Sequence, residues 1–354
     1  MKKILTLLLA LWMLTGCVAM AAGNQLVVGS TTAMSGAFFT DLFGSNTADI
    51  DVRALLHGYN LMSWDNETGT YQINDSVVAG MAVSRDAQNN RVYTFDLYGD
   101  LKFSDGSAIT AKDYAFSILL TASPELAKLG GQSAAVGAIL GMDAYQSGKS
   151  SVLRGVRLLS DTQMSITISK AYEPYFYEMA LFDYSPYPIS VLAPGCKVVD
   201  TEKGVGIVNA GGTGTAIFTA DLLQKTILDA ATGYMSHPSV VSGPYTLTRY
   251  DAQSGTASFA INPYYKGNED GEKPTIETIV YRTVANDEAI DLLLSGEVDL
   301  LNKMVAADTI SKGIQSTADQ PFSVANYPRS GLSMISFSCE RQTVSGKAVR
   351  QAIA

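Results

Sequence analysis

The chain has 354 residues, of which 25 are Lys or Arg and 34 are Asp or Glu, so its formal net charge at pH 7 is -9. This acidic balance argues against a nucleic-acid partner, because binding to a phosphate backbone needs a basic surface. The length allows a large hydrophobic core and indicates two domains, or one domain that carries an insertion.

The amino terminus has the pattern of a bacterial export signal. A basic start at residues 1–3 precedes an apolar run at 4–14, which is shorter than the roughly 20 residues that a membrane-spanning helix needs. Residues 14–17, Leu-Thr-Gly-Cys, match the lipobox, so we predict that Cys17 is diacylated and becomes the mature amino terminus. Ordinary cleavage near Ala22 is the alternative. We therefore expect an extracytoplasmic protein, at the cell surface or in the periplasm, that a lipid on Cys17 anchors to the bacterial membrane.

Two cysteines remain beyond Cys17. Cys196 and Cys339 are too sparse to define a disulfide scaffold and have no Cys-x-x-Cys spacing. We predict that both are small, buried hydrophobic residues.

The first part of the body predicts a strand, a loop and a helix in that order, which is the order at an edge of an α/β sheet. Residues 25–29 form a short apolar strand, residues 31–39 a loop with Gly and Ser, and a helix follows Asp49 through Leu61. Further along, residues 91–98 have β character, and the Asp-Gly pair that follows at 105–106 predicts a turn.

The middle of the chain continues this alternation. Thr110 is predicted to cap a helix with one apolar face that includes Tyr114 and Leu119. Apolar and polar residues alternate at 164–168, which predicts a half-buried strand, and two antiparallel strands are predicted within 245–261.

The last part predicts a strand at residues 276–283 and then a helix with Asn286 or Asp287 as its cap, stopped by Gly296. Another strand begins at residues 298–301. Residues 348–354 are good helix formers.

Six segments then resemble one protein family in their order and spacing. They are Leu-Lys-Phe-Ser-Asp-Gly at 101–106 running into the helix at 110–117, Gly-Val at 155–156 with Asp-Thr at 161–162, Ser-Gly-Pro-Tyr at 242–245, Asn-Pro-Tyr-Tyr-Lys-Gly at 262–267, residues 289–299 with Gly-Glu-Val-Asp, and Val-Arg-Gln-Ala-Ile-Ala at 349–354. The chain resembles the extracytoplasmic solute-binding proteins of peptide-type ABC importers. This large family includes oligopeptide- and dipeptide-binding lipoproteins.

The resemblance implies a bilobed, hinged α/β fold of the periplasmic-binding-protein type with an inserted subdomain. Residues 25–54 and 155–282 would form lobe I, residues 55–154 the inserted subdomain, and residues 283–354 the start of an incomplete lobe II. Family members continue past the position of residue 354. We therefore expect a fragment of a longer gene product, with the apolar side chains Ile290, Leu293, Leu294 and Leu300 poorly covered.

The resemblance also implies where a solute would bind. In open α/β sheets the crevice lies outside the carboxyl ends of the strands, where the loop at 31–39 begins, and in the family this loop offers main-chain groups to the solute. The predicted ligand-binding residues are Ser35, Gly36, Ala37, Phe38 and Phe39, with Tyr184 and Ser185 in a second, aromatic loop. The alternative for both phenylalanines is that they fill the core beneath the loop.

Enzyme motifs are weak or absent. Gly-Lys-Ser at 148–150 lacks the first glycine of a phosphate-binding loop, because Asp143 stands at that position. The two histidines, His57 and His237, cannot form a His-Glu-x-x-His zinc motif, and no Gly-x-Ser-x-Gly elbow occurs. The acidic run at 269–272 is a solvated loop or a weak calcium site. We expect neither catalysis nor a cofactor.

The predicted function is therefore capture of di- or oligopeptides for an ABC permease, by a monomer that closes around its solute. Three other solutes remain open in this interpretation: a nickel chelate, haem or an oligosaccharide. A lipid-anchored solute sensor is a further alternative.

Overall fold

The computed structural model describes residues 24–132, 137–326 and 334–354. The predicted signal segment and Cys17 lie outside these residues. The chain divides into two compact units, one ending at Val305 and the other running from Ala306 to Ala354.

The strands of the described residues all lie in the first unit. They are β1 (Gln25–Ser30), β2 (Met62–Asp65), β3 (Thr70–Ile73), β4 (Val78–Arg85), β5 (Arg91–Leu97), β6 (Val152–Leu153), β7 (Val156–Leu158), β8 (Gln163–Ile168), β9 (Cys196–Thr201), β10 (Gly204–Asn209), β11 (Tyr245–Asp251), β12 (Thr256–Ile261), β13 (Thr278–Thr283) and β14 (Leu300–Asn302).

The α-helices of the described residues are mostly short. They are α1 (Thr47–Leu56), α2 (Ala111–Thr121), α3 (Pro124–Lys128), α4 (Met142–Gln146), α5 (Ile189–Leu192), α6 (Ala220–Thr226), α7 (Ala289–Leu294), α8 (Ala307–Ser316) and α9 (Lys347–Ile353). In the part of the chain that the structure describes, no helix has the length and apolarity to cross a membrane.

A five-stranded sheet, in the order β11-β12-β13-β1-β14, positions the predicted ligand loop. Strand β1 lies parallel to both β13 and β14, while β11, β12 and β13 run antiparallel. The carboxyl ends of the three parallel strands, Ser30, Thr283 and Asn302, therefore meet at one edge of the sheet.

Helix α1 covers one face of this sheet and ends earlier than its sequence predicts. Its buried residues Ala48, Val52 and Leu56 pack in a core with side chains of β1, β11, β12 and β13. The helix ends at Leu56 instead of Leu61 because the backbone becomes extended at His57, and Tyr59 takes a positive φ of 57°. A residue in the left-handed region cannot continue a right-handed helix.

A second and larger core surrounds α2. Thr110 caps this helix as predicted, in a capping box with Asp113. The helix is buried almost all round instead of on one face. Strand β8 is likewise buried on both faces, since its polar residues Ser165 and Thr167 are buried along with its apolar ones. The predictions of one-sided burial were wrong for both elements.

The larger core does not divide at Gly155. Strand β8 pairs with β5, and β10 pairs with β6, so residues after 155 share sheets with residues before it. The hydrophobic cluster runs from Phe39 and Tyr59 through Tyr234, and the sheet of β1 has its own core. One hydrophobic core therefore spans the predicted boundary at 154–155 between the inserted subdomain and lobe I. The lobe assignment remains a prediction.

Three smaller expectations also need correction. The residue before α7 is Glu288, which makes no side-chain cap, so neither Asn286 nor Asp287 caps this helix. Cys196 is buried as predicted, whereas Cys339 is exposed. Leu294 and Leu300 are 42% and 46% exposed, as expected, but Ile290 is buried.

The second unit contains α8 and α9. Within it, the guanidinium of Arg350 donates to the main-chain oxygens of Val344 and Ser345, 2.9 and 2.6 Å away. These bonds hold α9 to the turn that precedes it.

Gly243 marks a close approach between the two segments that flank the smaller core. A Cβ atom on Gly243 would lie 2.5 Å from the carbonyl oxygen of Leu55 and 2.8 Å from the nitrogen of His57. We expect Gly243→Ala to lower the free energy of unfolding by about 3 kcal/mol, because the clash is with backbone. Gly211→Ala is the control, since nothing lies near its added Cβ, and should change stability by less than about 0.5 kcal/mol. Urea denaturation measures both. Equal stability of the two variants would contradict the close approach.

Candidate functional site

The predicted ligand loop is fastened by the buried carboxylate of Asp49. Its Oδ1 accepts hydrogen bonds from the main-chain N–H of Ser35, at 2.9 Å, and of Gly36, at 3.3 Å. Its Oδ2 accepts from the Ser35 hydroxyl, at 2.6 Å, and from the N–H of Asn46, at 3.2 Å. Asn46 caps α1 in return. Because a buried carboxylate is tolerated only when it is hydrogen-bonded, these contacts fix the loop to the helix start.

The main-chain groups of this loop are largely occupied. The Ala37 oxygen accepts from the Arg53 guanidinium at 2.8 Å, and the Phe38 N–H donates to the Met235 oxygen at 2.9 Å. The donors of Ser35 and Gly36 are held by Asp49. Of the five predicted residues, Ser35 is exposed, while Gly36 and Ala37 are buried. Because of these contacts, few main-chain groups of the loop remain available to bind a solute, although the resemblance led us to expect such groups.

The two phenylalanines point into different cores. Phe38 has no exposed surface and lies edge-on to Tyr250, with ring centroids 4.7 Å apart, in the core under the five-stranded sheet. Phe39 lies in the larger core, 4.7 Å from the ring of Tyr187 and 5.0 Å from that of Tyr234. The core-filling alternative therefore describes both rings, and neither forms an exposed wall.

His57 supports the same loop and was missed in the sequence. Its Nε2 lies 2.9 Å from the Phe38 oxygen. Since a carbonyl can only accept, Nε2 carries a proton in this contact. Burial lowers the pKa of His57 to about 4, against the effect of the Phe38 hydrogen bond.

The second predicted loop, with Tyr184 and Ser185, lines a cavity of about 350 Å³ in the first unit. The loop does not meet Ser35 there. The cavity is lined by Thr40, Asp41, Leu42, Ser117, Thr121, Ile139, Tyr175, Ala180, Leu181, Asp183, Tyr184, Ser185 and Tyr187. Its walls come from the residues just after Phe39, from α2 and from the segment 175–187. This volume is within the range of small-molecule sites in proteins.

A short chain of hydrogen bonds orders one wall of the cavity. The side-chain amide of Asn60 donates to Oδ1 of Asp183 at 2.7 Å, and the Ser185 hydroxyl donates to the amide oxygen of Asn60 at 2.8 Å. Burial raises the pKa of Asp183 and raises that of the neighbouring Tyr184 to about 12. Neither Asp183 nor Asn60 carried a motif that could have identified it.

A second polar cluster lies at the carboxyl ends of the parallel strands. Oδ2 of Asp51 accepts from the Tyr281 hydroxyl at 2.9 Å and from the side-chain amide of Asn302 at 2.8 Å, and Oδ1 pairs with the ammonium of Lys303. Lys303 has a positive φ of 56°. The cluster ties α1 to the point where the chain leaves β14.

Residues 76–354 match the family of bacterial extracellular solute-binding proteins, family 5, middle region. The chain belongs to this family. The match covers most of the larger core, the second unit, and the five-stranded sheet except β1.

Two curated relatives illustrate how much of a whole protein is present. The oligopeptide-binding protein OppA of Lactococcus lactis subsp. lactis is 27% identical over 233 residues, which are 65% of this chain and 32% of the relative. The periplasmic oligopeptide-binding protein OppA of Escherichia coli is 33% identical over 111 residues, which are 31% of this chain and 20% of the relative. The matched part of the chain thus spans about a third or less of these relatives.

Solved structures show the same fold at low identity. A lactococcal OppA complexed with an endogenous peptide in the closed conformation has a TM-score of 0.57 and 19% identity, and covers 84% of this chain and 48% of its own. A peptide-bound OppA of Listeria monocytogenes has the same TM-score and identity, with coverages of 83% and 49%. A periplasmic EDTA-binding protein, EppA, has a TM-score of 0.55, 15% identity and coverages of 84% and 46%. The predicted fold class, part of a bilobed periplasmic-binding-protein fold, is confirmed.

The Asp49 contacts can be tested by neutralising the carboxylate. Asp49→Asn replaces an acceptor oxygen with an NH2 group that faces N–H donors, so we expect a loss of about 2–4 kcal/mol in the free energy of unfolding. Asp86→Asn is the matched control, because Asp86 also accepts main-chain N–H bonds, from Gln88 and Asn90, but at a surface turn. It should lose much less than Asp49→Asn does. A similar loss in both variants would show that burial of Asp49 has no special role.

The histidine predicts a pH dependence. Because the pKa of His57 is about 4 in the folded chain and about 6.5 in the unfolded chain, the unfolded state binds more protons between these values. Stability should therefore fall as the pH is lowered from 6.5 towards 4. His57→Gln keeps a donor for the Phe38 oxygen and does not titrate. Between pH 7 and pH 4.5 the wild type should lose about 2 kcal/mol more than this variant in urea denaturation. Parallel pH profiles would refute the assignment.

Proposed function

We propose that this protein is the solute-capturing component of an ABC importer for di- or oligopeptides, working outside the cytoplasmic membrane. The observation that carries the proposal is the family match over residues 76–354, since the family consists of extracellular solute-binding proteins. The named relatives are oligopeptide-binding proteins, which supports peptides as the solute class.

The proposed mechanism is binding and closure without covalent chemistry. A solute that contacts both lobes favours the closed form, which a membrane permease then recognises. In this proposal residues 25–282 of the first unit supply lobe I and the inserted subdomain, and lobe II begins at residue 283. The protein acts as a monomer, and lipid on Cys17 holds it near the permease.

The first unit has features suited to such a clamp. The loop after β1 is fixed to α1 through Asp49, and the end of β14 is fixed to α1 through Asp51. A solute would thus meet a lobe whose edge is already ordered, which reduces the entropy lost on binding. The histidine beside this loop donates to a main-chain oxygen, which supports a structural role in place of a catalytic one.

Thermal-shift measurements on the intact gene product test the proposal. A peptide that binds only the folded state raises the melting temperature, since stabilisation is about 2.7 kcal/mol at a ligand concentration 100 times Kd. Pools of di- to pentapeptides should give this shift, and X-ray scattering should show compaction with the same pools. Free amino acids at equal concentration are the control. A shift with nickel chelates, haem or oligosaccharides, and none with peptides, would contradict peptide capture while keeping solute binding.

A further inference from the structure

The cavity beside Tyr184 has an unusual lining. It contains two carboxylates, Asp41 and Asp183, and three phenols, Tyr175, Tyr184 and Tyr187. Among the described residues that line it there is no Lys or Arg. Its remaining polar side chains are hydroxyls. The lining is therefore rich in acceptors and π faces, and carries formal negative charge without a compensating cation in the wall.

Asp183 is held in a fixed orientation with one oxygen left over. Oδ1 accepts from Asn60, which Ser185 fixes in turn. Oδ2 accepts no hydrogen bond from the residues that the structure describes. Burial disfavours the ionised form of Asp183, because its charge is poorly solvated there. A cation placed beside Oδ2 would stabilise that charge.

The guanidinium of Arg53, on α1, is already engaged. The Arg53 guanidinium donates to the Ala37 oxygen at 2.8 Å and to the Ser45 hydroxyl at 3.1 Å. It does not line the cavity. The negative charge of the cavity is thus left for a group from outside.

Part of the aromatic lining reaches the protein surface. Tyr175 lines the cavity and is 45% exposed, and its neighbour Phe176 is 82% exposed. Aromatic faces attract organic cations and cover their apolar stems at the same time. A volume of about 350 Å³ accommodates a long side chain, which is much larger than a bare metal ion.

We propose that this cavity binds an organic cation, an alkylammonium or guanidinium group carried by the solute, with Asp183 as its ion-pair partner and Tyr175, Tyr184 and Tyr187 as its walls. For a peptide solute this group is a Lys or Arg side chain. The peptide form of the inference rests on the proposed function. The cation preference of the cavity does not.

Isothermal titration calorimetry on the intact gene product compares the peptides Ala-Lys-Ala and Ala-Nle-Ala, which differ in charge at nearly equal side-chain length. The lysine peptide should bind about tenfold more tightly or better, as expected for one charge-assisted hydrogen bond. Asp183→Asn should abolish this ratio. Asp41→Asn should reduce it less, because Asp41 is exposed and its charge is screened. Asp221→Asn, an exposed position outside the cavity, is the control and should keep the ratio.

Melting curves show whether the Asp183→Asn chain is folded. If it is not, the ratio of the two peptide affinities in the Asp41→Asn chain tests the proposal instead. Tight binding of both peptides with no preference for lysine would overturn the cation site and leave peptide capture standing. A preference for the lysine peptide that survived in Asp183→Asn would also overturn the cation site and leave peptide capture standing.

A second probe separates the inference from the proposed function. Ligand-observed NMR with n-butylammonium, and with 1-butanol as the neutral control, reports on the cavity without a peptide. If no peptide binds but n-butylammonium binds the wild type and not Asp183→Asn, peptide capture fails and the cation site stands. If neither peptide nor n-butylammonium binds, both are overturned. If Mg²⁺ binds the cavity and n-butylammonium does not, the cavity is a metal site, and the inference is overturned as well.

Discussion

The buried carboxylate of Asp49 is the contact on which the arrangement of the first unit depends. One side chain joins the start of α1 to the loop after β1, through Asn46 on one side and Ser35 and Gly36 on the other. Because these groups are fixed, the loop residues that follow Gly36 have little conformational freedom. Phe38 enters the core of the five-stranded sheet and Phe39 enters the larger core. The loop that leaves the sheet edge therefore connects two cores, and its conformation follows from its packing.

Local rules predicted much of this fold. The first strand, the Thr110 cap, the hairpin of β11 and β12 and the β13 strand all follow from short-range patterns that the structure contains. Apolar and polar residues do alternate along β8, but the alternation could not reveal that Ser165 and Thr167 are buried as well. The early end of α1 depends on the positive φ of Tyr59, a residue type that gives no warning of it. Tertiary packing decided both cases.

The candidate sites illustrate the same limit. A resemblance could name Ser35 to Phe39, because they stand after the first strand, but it could not show that Asp49 and the cores already use them. The cavity is built from residues near 40, 120 and 180, and only the fold brings these together. Tyr184 and Ser185 were predicted as part of an aromatic loop. Asp183 immediately precedes them in the sequence, but no motif marks its carboxylate.

The outer position of β14 has a consequence for solubility. In the described residues this strand ends the five-stranded sheet, with three residues paired to β1 on one side only. Asp299 precedes the strand, and its carboxylate accepts a hydrogen bond from the N–H of Val27, while Lys303 follows the strand. An exposed edge with so few free peptide groups, bracketed by opposite charges, is a poor template for a strand from another molecule. The sheet thus limits intermolecular β-pairing at the margin where self-association would otherwise begin.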